Sequence, residues 1–120
     1  MSSLLAAGLG SAGRSESTAR PDPSELNSQA CLEELDLSRL DQALQRCNAV
    51  VQAHRSDPAP LTDRSLLYIL LGRIDQACRD VDQAIKLMNS KGSTVDPMVR
   101  HELTVRQASC RQRISNAGKG

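Results

Sequence analysis

One apolar pattern occurs twice in this chain at a fixed offset, and it restricts the fold more than any other feature. Between Leu71 and Met88 an apolar stripe falls on Ile74, Ala77, Cys78, Val81, Ala84, Ile85 and Met88. Steps of three residues alternate with steps of one, so these side chains form a single stripe on a helix of about 3.6 residues per turn. The same stripe lies 34 residues earlier, on Leu40, Ala43, Leu44, Cys47, Val50 and Val51. Arg39, Asp41, Gln42 and Ala43 recur as Arg73, Asp75, Gln76 and Ala77. Self-similarity at this period with helical spacing reads as a helical repeat, in which each unit covers the apolar face of the next. A chain of this kind is expected to present a surface rather than to run a reaction.

The 120 residues suffice for one small domain. Charge is nearly balanced, at +1. Bulk electrostatics therefore give no strong attraction to nucleic acid or to an acidic membrane. Tyr68 is the one aromatic residue. The core must be built from Leu, Ile, Val, Ala, Met and Cys. No run alternates with a period of two over a useful length, so the expected class is all-α. A small domain with such modest side chains gains from extra staples. Cys31, Cys47, Cys78 and Cys110 can serve, and they allow three pairings. None lies in a CxxC motif. Three readings stand: buried thiols acting as small hydrophobes, two disulfides in an oxidising compartment, or a metal site with His54 or His101.

Residues 1–22 read as a flexible tail or as part of a signal-like segment. Leu4 to Gly13 has the short apolar run and small residues of a secretory signal, but no Lys or Arg precedes Arg14. Export is slightly favoured over a cytoplasmic location. No stretch approaches the ~20 apolar residues of a spanning helix. The helical domain covers 23–116, and 117–120 form a flexible end. Helices are expected over Pro23–Leu35, Ser38–His54, Thr62–Gly72, Arg73–Met88 and from Pro97 to about Ser115. Pro58 and Pro60 end the second of these, because proline cannot continue a helix. Leu66 to Leu71 is apolar all round, which places the third in the middle of a stack. Gly92 is the left-handed residue of the following loop. Asp96 caps the last helix, whose inner stripe is Val99, Leu103, Cys110 and Ile114. Residues 96–120 carry five basic against two acidic side chains, read as a solvated face.

The repeat resembles the tetratricopeptide repeat (TPR). Ser65, Tyr68, Gly72, Ala77, Val81 and Ala84 match the small, aromatic, glycine and apolar positions of that pattern. Cys31, Ala43, Cys47 and Val50 hold the equivalent places one unit earlier, where the first helix is degenerate. The resemblance covers residues 24–115. It implies a right-handed stack of antiparallel helix pairs, about two repeats plus a C-terminal capping helix. It also implies a groove lined by the first helix of each unit. The contact positions fall on Leu32 and Leu35, on Leu66, Ile69 and Leu70, and on Arg100 and Leu103. In this architecture Cys31 and Cys47 face each other across one hairpin, and the hairpin around Gly92 brings Cys78 level with Cys110. The implied disulfides are Cys31–Cys47 and Cys78–Cys110.

The expected function is a non-enzymatic protein-interaction module. It takes a peptide or helix of a partner protein in an apolar groove. A nucleic-acid or acidic-partner binder working through the Arg-rich last helix is the alternative. No aromatic residues interleave with those arginines, which argues against base stacking. No nucleophile motif surrounds a Ser, Thr or Cys, and the histidines lie on different units, so no enzyme is expected. Glu33, Glu34, Asp80 and Asp82 read as solvated charge. No metal or cofactor is expected, and an exposed apolar end of the stack suits a homodimer.

Overall fold

The structure, a computed structural model, describes residues 27–119; the side chains of Ser93 and of residues 114–119 are not described. Four α-helices follow one another: α1 Leu40–Ala53, α2 Pro58–Leu70, α3 Ile74–Lys91 and α4 Pro97–Lys119. Short 3-10 turns lie at Ala30–Leu32, Leu37–Arg39 and Gly92–Thr94. No strand occurs among the described residues, and the fold is all-α. The signal-like segment lies outside the described residues. Among the described residues no helix is long and apolar enough to cross a membrane.

Short turns join successive helices, and side chains tie them together. Arg64 of α2 reaches both Asn48 of α1 and Asp80 of α3, and a disulfide joins α3 to α4. α2 is the central helix, in contact with each of the other three. Its two sides face two cores. The first holds Ala30, Cys31, Ala43, Cys47, Val50 and Leu67, with Leu32, Leu35, Leu40 and Val51 against it. The second holds Leu61, Val81, Ala84, Met88, Val95 and Leu103. Both stripes of the repeat therefore face inward, as their period requires.

Local structure departs from expectation in three places. Of the helix expected over Pro23–Leu35, the described part forms only the turn Ala30–Leu32. The chain leaves helical geometry at Glu33 (ψ 133°), and Glu34 is left-handed at φ 51°. Asp36 then accepts hydrogen bonds from the Ser38 amide and hydroxyl, and starts a new turn. α2 begins at Pro58 rather than Thr62. The Asp57 carboxylate accepts from the Ala59 amide at 2.9 Å, and prolines in the first turn lack only amides that would have no intrahelical partner. α3 runs to Lys91, where Gly92 at φ 63° ends it. α4 starts where expected, with the Asp96 carboxylate on the Met98 amide at 2.8 Å, but extends through Lys119.

Candidate functional site

The residues expected to line one groove do not share one environment. Leu32 and Leu35 pack against the first core. Leu103 is 0% exposed within the second core, so in this conformation it is a packing residue and not a contact surface. Its position on α4 is set by α4 docking over both α2 and α3, which a groove of exposed first helices does not allow for. Arg100 is half-buried and donates to the Gly92 carbonyl, closing the turn before α4. Leu66 is half-buried, while Ile69 and Leu70 are 40% and 43% exposed at the C-terminal end of α2. These three share one face of that helix.

Beside Ile69 lies an apolar hollow of about 230 Å³. Ile69, Ile74, Ala77, Cys78, Val81 and Cys110 line it, with Arg106, Ser109 and Arg113. The volume is below that of a typical small-molecule site and suits one inserted side chain. A second, more open hollow of about 440 Å³ shares Ile74 and Arg113 with it. Its remaining lining is Gly72, Arg73, Asp75, Gln76 and Arg79. Here an apolar hole adjoins a basic shelf. Sequence reasoning noted Arg73 only as a repeated residue and Arg113 only as part of a basic run. Their convergence depends on where α4 docks.

Two other arginines are structural. Arg64 clamps Asp80 with bonds of 2.8 and 2.7 Å, donates to Asn48 Oδ1 at 3.0 Å, and lies 5.6 Å from the Tyr68 ring centroid. The bond to Asp80 makes Arg64 hold its proton more firmly than a free guanidinium. Asp80 is 6% exposed, whereas Glu33, Glu34 and Asp82 are exposed as expected. Arg106 docks α4 on α2, donating to the Thr62 carbonyl at 2.7 Å and to Ser65 Oγ at 3.2 Å. Arg100 and Arg106 are thus occupied inside the fold.

A polar hollow of about 390 Å³ opens at the starts of α2 and α4, lined by Asp57, Asp63, Lys91 and Asp96 among others. Asp57 and Asp96 cap helices. The Asp63 carboxyl is pushed up to about 6, first by burial, then by Glu102 and Asp57 against the pull of Arg106. A carboxyl raised from its ordinary 3.8 binds more protons in the folded state between those values. The contribution of Asp63 to stability therefore falls as pH rises from about 4 to about 6. Asp63→Asn removes this. Its stability relative to the parent is expected to improve by about 1 kcal/mol over that interval, allowing for solvent screening. Urea unfolding at several pH values checks it; a pH-independent difference would refute it.

The cysteines meet as Cys31–Cys47 and Cys78–Cys110, with S–S separations of 2.09 and 2.07 Å. Cys31 and Cys47 are fully buried, and both sulfurs lie within 4 Å of the Pro60 carbonyl (3.8 and 3.6 Å). Cys78 and Cys110 are half-buried at the wall of the apolar hollow. Both pairs fit an oxidising environment. Among the described residues no group of three or more His, Cys, Asp or Glu is placed to hold a metal ion. His54 follows the end of α1, and His101 is exposed on α4. Comparison with protein-family models, curated proteins and solved structures finds no match to this chain.

Proposed function

We propose that this chain is a short TPR-like stack that works as a protein-interaction module in an oxidising, exported setting. Its binding surface is the C-terminal end of α2 with the hollow beside it. A peptide or helix of a partner protein lays an aliphatic side chain into that hollow. The observation that carries this reading is the exposure of Ile69 and Leu70 beside an apolar hole of side-chain size. Large apolar residues grouped at a hole rather than scattered mark interaction sites. The TPR-like reading draws support from packing: Ser65, Ala77 and Ala84 are sealed between helices, where bulk would force the pairs apart. The engaged state of Arg100 and Arg106 weighs against a nucleic-acid reading of α4.

Ile69→Asp with Leu70→Asp is the test. Both side chains are exposed, so far-UV circular dichroism and melting should match the parent. Proteins co-purified with the parent from the native host should be lost from the variant. A variant that folds and retains the same partners would rule out this surface. Binding that falls steeply with salt at unchanged Ile69 and Leu70 would favour phosphate contacts instead.

A further inference from the structure

Two exposed regions of the molecule carry opposite charge: the turn before α1, and the turn between α2 and α3 together with Arg113 of α4. On the turn before α1, Glu33 and Glu34 are exposed, and among the described residues their carboxylates engage no cation. Asp36 is paired with Arg39 at 3.7 Å, and Arg46 is spent on the Glu33 carbonyl at 2.8 Å. Next to these acids Leu37 is 68% exposed. Glu34 in this turn is left-handed, at φ 51°.

At the turn between α2 and α3 the signs reverse. Arg73, Arg79 and Arg113 are exposed around one hollow, and among the described residues no ion pair or side-chain hydrogen bond engages any of them. Asp75 is the one carboxylate in that lining. Ile74 lines both this hollow and the adjoining apolar one, where Ile69 is exposed, and Leu37 supplies exposed apolar surface beside the acids. An exposed acidic turn beside Leu37 and a basic hollow thus occur on one chain.

We propose that a second copy of this chain occupies the basic hollow. The Glu33–Leu37 turn of one copy seats on Arg73, Arg79 and Arg113 of the other, and the reciprocal contact forms about a two-fold axis. Two sites of opposite sign on one chain can satisfy each other under that symmetry, the commonest closed arrangement. The contact is small and charged, so the dimer is weak and salt-sensitive. It requires no foreign partner, and its test uses the chain alone, so its failure leaves the proposed partner surface untouched.

Sedimentation across a dilution series from millimolar to micromolar chain decides it. The expected result is a dimer that dissociates on dilution and in about 1 M sodium chloride, where screening acts within a few ångströms. Glu33→Arg with Glu34→Arg should weaken the dimer roughly tenfold or more, as should Arg79→Glu with Arg113→Glu. All four positions are exposed, and circular dichroism should report unchanged folding. An equimolar mixture of the two variants should restore the dimer, because each then meets its opposite at both contacts. A chain monomeric throughout, a dimer indifferent to both reversals, or a mixture that stays dissociated would overturn the proposal.

Discussion

Asp80→Ala is expected to destabilise the fold by about 3–5 kcal/mol, the usual cost of breaking a buried ion pair from one side. Such a loss is comparable with the whole stability of a domain this small, ~5 kcal/mol. The argument rests on what remains. Arg64 is held between α1, α2 and α3, with only Asn48 and the Tyr68 ring left to it once Asp80 is gone. Its charge stays desolvated with two donors unanswered. Arg64→Met with Asp80→Leu should cost far less, because replacing both charges by apolar groups of similar size removes the desolvation penalty with the attraction. A double-mutant cycle in urea measures the coupling. Single variants no worse than the double would show that the clamp is solvated and contributes little.

That clamp also shows where sequence reasoning stopped. The repeat and the all-α class were legible because apolar spacing reports directly on a helix face. The polar positions of the same helix carry no such label. Asp80 stands 34 residues after Arg46, at the same place in each unit. Both turn inward: Arg46 to the Glu33 carbonyl, Asp80 to Arg64. A charge facing its own unit looks in sequence like a charge facing water, since its partner lies on another helix. Leu103 was legible on the inner stripe of α4 and is buried, but Arg113 was illegible for a related reason. α4 has no second copy to compare, so its docking, and hence the basic hollow, emerges only in three dimensions. The start of α2 at Pro58 was misplaced by treating proline as a breaker when Asp57 and the first helical turn tolerate it.

Removing the Cys31–Cys47 disulfide by Cys31→Ala with Cys47→Ala is expected to cost about 3 kcal/mol, as closing a short loop does in the chain-entropy model. The same change at Cys78 and Cys110, whose loop spans 32 residues, should cost a similar amount, since loop length enters only logarithmically. The consequences differ because the elements held differ. Cys31 and Cys47 occupy the places that Ser65 and Val81 fill one unit later. In the second unit α2 and α3 are full helices that bury each other without a covalent bond. In the first unit the described partner of α1 is a three-residue turn, Ala30–Leu32, too short to dock on apolar area alone. Losing the first disulfide should therefore free residues 27–36 and expose α1, seen as rapid amide exchange there while α3 stays protected. Losing the second should loosen the C-terminal half of α4 and leave the first core intact. Accessibility orders the chemistry: a limiting reductant reaches half-buried Cys78–Cys110 before fully buried Cys31–Cys47. Thiol labelling with peptide mapping along a reductant titration reads that order directly. Simultaneous release of all four thiols, or release of Cys31 and Cys47 first, would mean that the first unit opens more readily than its burial implies.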